Sequence, residues 1–490
     1  MPSATRRAFL KAVSAGAAAI ALPACLKKTP PAAPGHPPNV VIIFTDDQGY
    51  QDVGCFGSPL IRTPNLDRMA SEGMRFTDFY VAASVCSPSR AALMTGCYPQ
   101  RINMNVFTRL VKGEEQGGGV VLFQNSPRGL HPNEITLAEI LKRRGYATAC
   151  VGKWHLGHLP EFLPMAQGFD SYYGIPYSND MNIRRGDKSG PPLMRGRQVI
   201  EHPADQATLT RRYTEEAVKF IRAGKDRPFF LYLPHTMPHL PLAASETFKG
   251  NSRRGLYGDV IEEIDWSVGE VLKALKECGV DGDTLVVFTS DNGPWIRFGD
   301  RGGSALPLRA GKGTIYEGGM REPCIMRWPG KIPAGSVCHQ VATTMDLLPT
   351  IARLAGGEAP TDRVIDGKDI WPLMAGMPGA ASPHEAFYYY PKEATDPMAV
   401  RSGKWKLHKA GPRFKTWQNE KGQWIHRRVD LPTELYDLES DVGETTNLAE
   451  KHPEVVTRLA RMMDRFDADL KKHSRPVGPA GDLATSPASA

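Results

Sequence analysis

The segment Ser84-Val85-Cys86-Ser87-Pro88-Ser89-Arg90 sets one cysteine ahead of a proline and an arginine, just before the helix-like run AALMTG. A thiol there has four uses: buried packing, half of a disulfide, a metal ligand, or raw material for a covalent modification. Elsewhere, Asp46-Asp47 and Asp291-Asn292 offer four oxygen-bearing side chains and no nitrogen or sulfur ligand, which suits a hard divalent cation such as Ca²⁺ or Mg²⁺. Each pair also reads as a turn, since Asp-Gln-Gly and Asp-Asn-Gly are ordinary turn chemistry after a strand. Lys153 and His155, in GKWHLG, put a cation and an acid/base group on one tight loop. Standing alone, that pair reads equally well as a solvated lysine and a packed histidine. In PHTMPH, His235 and His239 compete for one catalytic role. Lys312, in LRAGKGTIYEGGMREP, lies in a glycine-rich loop where the backbone can approach an oxyanion, but the segment does not fit the P-loop pattern GxxxxGK[ST].

Four of these groups follow short apolar runs. Asn39–Thr45 stops at Asp46, Thr284–Ser290 at Asp291, Pro228–Leu233 runs into PHTMPH, and Tyr146–Val151 gives way to GKWH. Runs of this kind alternate with helical patterns, so we expect an α/β fold whose parallel sheet is covered on both faces. In open α/β sheets ligands bind beyond the carboxyl ends of the strands, and the four polar termini are expected to converge there. Helices are expected over Val260–Leu275, ending at Gly279, and around Glu139, Val218 and Leu348. From about residue 381 the texture changes: AVRSGKWKLH reads as a hairpin about Ser402-Gly403, ELYDLESDVGE as strand and turn, and a last helix follows Pro453.

The chain is 490 residues long, enough for a large domain with a smaller one attached. Its formal charge of +7 falls to +4 once Arg6, Arg7 and Lys11 are set aside. That balance, without basic stretches interleaved with aromatics, argues against nucleic acid. Eight cysteines, with no CxxC pair, argue against a soft-metal site. The start, TRRAFLK followed by AVSAGAAAIAL, resembles a bacterial twin-arginine export signal, and Leu22-Pro23-Ala24-Cys25 resembles a lipobox. The apolar run is shorter than the roughly 20 residues a membrane span needs.

CSPSR fits the C-x-P-x-R signature of type I, formylglycine-dependent sulfatases. TDDQG, TGCYPQR, GKWHLG, PHLP, SDNG and GKGTIYEGGMREP resemble that family's blocks, in the family's order. The resemblance runs from Asn39 to about Leu470, includes ELYDLESDVGETTNL, and points to arylsulfatase A-like members. It implies an alkaline-phosphatase-like sandwich with a mostly parallel central sheet flanked by helices, plus a smaller C-terminal α+β subdomain with a short antiparallel sheet. It also implies that Cys86 is oxidised to formylglycine, whose hydrate is the nucleophile. Asp46, Asp47, Asp291, Asn292 and residue 86 would hold one divalent metal, Ca²⁺ in preference to Mg²⁺. Arg90 would hold the hydrate, Lys153 and Lys312 would bind sulfate oxygens, His155 would handle the second hydroxyl's proton, and His239 would meet the leaving oxygen. A serine in place of the hydrate would become a stable sulfate ester.

The expected organisation is an export signal with lipobox over 1–25, a Pro/Ala-rich tether over 26–38, a catalytic domain over 39–380, a C-terminal subdomain over 381–472 and a disordered tail over 473–490. The expected partners are a sulfated small molecule or saccharide, a formylglycine-generating enzyme, the twin-arginine machinery, and a lipid anchor at Cys25. The expected location is periplasmic or cell-surface, in a bacterium. A phosphate or phosphonate ester hydrolase of the same superfamily is the rival enzyme, and a non-catalytic carbohydrate-binding surface lipoprotein the rival of another kind. The segments Phe107–Gly129 and Asn179–Gln198, with Trp405, His408 and Trp424, are candidates to shape the pocket mouth.

Overall fold

The computed structural model describes residues 37–111, 114–181, 190–392 and 394–479. The export signal, Cys25 and nearly all of the tether lie outside the described residues, as do 182–189 of the arginine- and glycine-rich segment and 480–490 of the tail.

An 11-stranded sheet forms the centre. Six of its strands matter for the site: β1 (Asn39–Thr45), β2 (Met74–Tyr80), β3 (Ala147–Val151), β4 (Phe229–Pro234), β5 (Thr284–Ser290) and β6 (Arg321–Arg327). They lie in the order β2-β6-β5-β1-β4-β3. The four strands that the apolar runs anticipated, β5, β1, β4 and β3, are adjacent and mutually parallel. Thr45 pairs with Ser290, Phe44 with Pro234 and Tyr232 with Cys150, so four carboxyl ends stand side by side. β6 and β2 complete this side by antiparallel pairing.

Both faces of the sheet are covered, which is why the strands read as continuous apolar runs. Val40, Ile42 and Phe44 of β1 enter one core, together with Leu93 and Met94 of helix α1 (Cys86–Thr95). Val41 and Ile43 enter the opposite core, formed with helices α2 (Leu209–Gly224) and α3 (Leu256–Glu277). Truncating one fully buried side chain such as Ile42 to Ala would cost about 2–5 kcal/mol in lost burial and cavity.

The C-terminal part builds a four-stranded antiparallel sheet from Phe387–Tyr389, Ala399–Ser402, Trp405–His408 and Glu434–Asp437. Helix α4 (Pro453–Lys472), begun by Pro453 in its first turn, adds Leu459, Met462 and Met463 to the core of that sheet. The 399–408 hairpin turns at Gly403-Lys404, one residue later than expected, because Gly403 supplies the left-handed conformation (φ 58°). Between the last two strands a long hairpin, Gly411–Gln418 with Trp424–Leu431, runs back toward the main sheet.

The expected disordered tail from 473 is corrected for residues 473–479. Arg475 donates its backbone N–H to Arg101 O (2.6 Å) and pairs with Glu134 (2.7 Å), and Gly478–Pro479 pairs with Arg128–Gly129. An ion pair and backbone bonding outweigh a Pro- and Gly-rich composition there.

Candidate active site

The ends of β1 and β5 are tied together by their own polar groups. Asp291 N donates to Thr45 O (3.0 Å), Asp47 N to Asp291 Oδ1 (3.2 Å), and Asn292 Nδ2 to Asp47 Oδ1 (2.7 Å). Asp47 takes a left-handed turn (φ 67°) that folds it back toward its neighbours. Gly293 is required just beyond, since a Cβ there would sit 1.9 Å from Gly318 O. All four residues are at most 2% exposed. The turns bring the acids together.

Cys86 is the first residue of α1, and its Sγ lies with carboxylate oxygens of Asp46 and Asp291, all within 4.8 Å of one another. Carboxylates of Asp46 and Asp47 with His239 form a second such group. Two buried oxygens in this cluster, Asp46 Oδ1 and Asn292 Oδ1, have no hydrogen-bond partner. Burial, and then the Asp46 charge, push the Asp291 carboxyl up to about 7. Orphaned oxygens and crowded carboxylates are what a hard divalent cation relieves, so the residues fit such an ion.

Three cations surround the acids. Arg90 holds Asp291 Oδ2 through Nε (3.0 Å) and a terminal nitrogen (2.7 Å), and reaches Asp46 Oδ2 at 3.3 Å. Lys153 binds Asp46 and donates to Ser178 Oγ (3.2 Å). Lys312 chelates Asp47 at 2.6 and 2.8 Å. Burial alone would raise the Asp46 carboxyl, but these cations, Lys153 first, hold it well below the usual carboxylate range. Lys153 is fully buried against Asp46 and does not line the cavity. Gly152 (φ 136°) passes so close to β4 that a Cβ would sit 1.9 Å from Pro234 O, and Lys153 N donates to the same carbonyl (2.7 Å).

The three histidines separate cleanly. His155 donates Nε2–H to Leu122 O (2.8 Å), which leaves Nδ1 as the bare acceptor, buried and without a partner. Burial and then Lys153 drive its pKa well below the ordinary value, so the ring is neutral. His239 has Nδ1 against Asn179 Oδ1 (2.9 Å) and Leu240 O (2.6 Å), which fixes the proton on Nδ1 and leaves Nε2 3.7 Å from Asp47. His235 turns the other way, to Ser267 Oγ (3.2 Å) on α3 and the Tyr213 ring on α2, and burial lowers its pKa to about 3. His235 packs the helices; His239 faces the site.

A cavity of about 330 Å³ opens over this cluster, with Cys86, His155, His239 and Lys312 on its wall. The 107–129 segment contributes Val120, Val121, Phe123 and Gln124, pinned by Leu122 N to Ser87 Oγ (3.1 Å). Asp180 and Met181 line it from the other suspected segment. Trp405, His408 and Trp424 do not line it; Lys392 and His426 do, carried there by the C-terminal subdomain. Trp405 packs on His452 and His408 binds Glu444 (2.9 Å). Ser178 and Trp295 were missed, although Ser178 adjoins the segment that Asn179 opens and Trp295 lies two residues beyond SDNG. Among the described residues no disulfide forms, and Cys86 is a free thiol.

A parallel sheet whose strand ends gather acids, lysines and histidines around one cysteine is the site of an oxyanion-ester hydrolase. Family comparison makes this specific: residues 38–357 match the sulfatase family and 382–487 match the C-terminal region of aryl-sulfatase. The chain belongs to the sulfatase family and is a sulfuric ester hydrolase. It is 41% identical to arylsulfatase A of Homo sapiens over 87% of this chain and 87% of that protein. It is also 41% identical to N-acetylgalactosamine-6-sulfatase of Canis lupus familiaris, over 85% and 78%. The crystal structure of Ps i-CgsB in complex with k-i-k-neocarrahexaose superposes with a TM-score of 0.72 at 30% identity, over 90% of this chain and 95% of that one.

Proposed function

We propose that this sulfatase removes a sulfate ester from a saccharide, using a formylglycine made from Cys86 and one divalent cation, Ca²⁺ in preference to Mg²⁺. The observation that carries this reading is the position of Cys86: at the N-terminus of α1, among Asp46 and Asp291, on the wall of the cavity. The two candidate ligand groups share Asp46, which supports one cation and not the paired cage of a two-metal phosphatase.

Asp46, Asp47, Asp291 and Asn292 would hold the cation, which when bound supplies Lewis acidity toward the attacking and sulfate oxygens. Residue 86, as a hydrated aldehyde, supplies one hydroxyl for attack at sulfur and a second whose proton loss expels sulfate. His155 suits that proton, because its Nδ1 is held unprotonated by the Leu122 bond. Lys312, on the cavity wall, offsets charge that grows on the sulfate oxygens. Lys153 and Arg90 neutralise Asp46 and Asp291 from behind and keep them in place. His239 presents Nε2 to the leaving oxygen, oriented by Asn179 at Nδ1.

For location, Arg6-Arg7 and the lipobox-like Cys25 support export of the folded chain to the periplasm or cell surface with a lipid anchor, after residue 86 has been modified in the cytoplasm. Mass spectrometry of the peptide spanning Cys86, from a host with the modifying enzyme, should find the aldehyde. A wholly unmodified thiol in active protein would refute the mechanism. Matched aryl sulfate and aryl phosphate substrates separate the reaction classes, and a preference for phosphate would favour the rival hydrolase.

A further inference from the structure

Part of the cavity wall has no role in the reaction above. Arg297 and Trp295, beyond Asn292, meet Lys392 and His426 of the C-terminal subdomain there. Lys312 anchors this wall to the sulfate site: its Nζ lies 4.5 Å over the Trp295 ring, and the Arg297 guanidinium lies 4.9 Å from the same ring. One residue on, a Cβ at Gly313 would stand 3.4 Å from Lys392 Nζ and 3.7 Å from His426 Cε1. Lys392 and His426 therefore stand close beside Gly313, the residue after Lys312.

The hairpin that carries His426 is built to hold it there. The ring stacks on Phe414 at 4.8 Å and 14°, Nδ1 meets Thr416 Oγ1 at 2.8 Å, and Lys392 Nζ sits 4.0 Å over the other aromatic of the group, Phe414. Burial, then Lys392 and Arg297, lower the His426 pKa to about 4, so two cations face the imidazole from separate segments. Among the described residues Asp180 is the one carboxylate lining the cavity. Arg297 is exposed while Lys392 and His426 are half-buried, and both cations lie against aromatic faces on the cavity wall, where an anion gains more than from a freely solvated charge.

We propose that Arg297, Lys392 and His426 form a second anion subsite beside the sulfate site, selecting saccharides that carry a further sulfate or a carboxylate near the scissile ester. Trp295 supplies an apolar face for the sugar ring between the two anions. This inference rests on the sulfatase reading of the same cavity.

The test uses full-length wild type, Lys392→Met and Arg297→Met, each shown by mass spectrometry to carry the aldehyde at residue 86. The substrates are 4-nitrophenyl sulfate and its 2-carboxy and 2-sulfo derivatives. Comparing the dianion-to-monoanion ratio of kcat/KM between enzymes cancels leaving-group reactivity. The ratio should fall about tenfold in each variant, as expected for loss of one charge-assisted contact. A larger fall for the sulfo substrate assigns the second anion as sulfate, and a larger fall for the carboxy substrate assigns it as carboxylate. Ratios within about twofold of wild type in both variants would overturn the subsite. The two substitutions lie on separate segments, and His426→Gln on the hairpin gives a third reading if either folds poorly. Failure of aldehyde-bearing wild type to release sulfate from any of the three substrates and from sulfated oligosaccharides would overturn the reading of this cavity as the sulfate-ester site and the subsite with it.

Discussion

Lys406 sits at the junction between the catalytic domain and the C-terminal subdomain, with no exposure to solvent. Its Nζ lies 2.8 Å from Glu317 and 2.9 Å from Glu444. Glu317 stands five residues beyond Lys312; Glu444 accepts from Glu317 N (2.7 Å), and its carbonyl accepts from Arg309 (2.6 Å). Lys406→Met would leave two buried carboxylates without their shared cation. Arg321, 3.4 Å from Glu317, compensates one of them in part, so we expect a loss near the low end for a broken buried pair, about 3 kcal/mol near pH 8. Burial raises the Glu444 carboxyl to about 7, well above its unfolded range. A carboxyl raised in the folded state contributes stability that is complete at low pH and is lost as pH rises through the folded pKa. At about pH 5.5 Glu444 is protonated with or without Lys406, and the deficit should shrink to the Glu317 share, about half. Urea unfolding at the two pH values measures this, and KM for an aryl sulfate should rise as the Lys312 loop loosens. Adding Glu444→Gln should recover part of the loss. A deficit below about 1 kcal/mol, or one that does not change with pH, would refute the reasoning.

Other outcomes follow from the site. Cys86→Ser should fold normally but retain sulfate after one turnover, read as a sulfated peptide by mass spectrometry, because a single hydroxyl cannot expel it. Chelation should abolish turnover and lower the melting temperature, with recovery on adding Ca²⁺, since Asp46 Oδ1 and Asn292 Oδ1 would again be orphaned. Lys312→Met should cost about 10²–10³ in kcat/KM for an aryl sulfate, the scale of one lost oxyanion contact. Asn179→Ala should lower kcat about tenfold with little change in KM, because it removes one of the two acceptors that orient His239 Nδ1 without touching the sulfate wall.

Much of this protein is written in local sequence. β1 and β5 end where Asn39–Thr45 and Thr284–Ser290 were expected to end, because strands buried on both faces need unbroken apolar runs and their ends need turn residues. The motif residues that must meet, Cys86, Asp46, Asp47, Asp291 and Asn292, each sit at a strand or helix terminus that short-range pattern identifies. Tertiary structure alone decided which histidine of PHTMPH faces the acids, since Ser267 and Tyr213 take His235 while Asn179 and Asp47 meet His239. It also decided that Lys392 and His426 reach the cavity while Lys153, Trp405, His408 and Trp424 do not. The reach of His426 depends on how a hairpin near residue 420 folds against segments distant in sequence. No periodicity within the hairpin encodes the distance to Gly313; packing against residues more than a hundred positions away sets it.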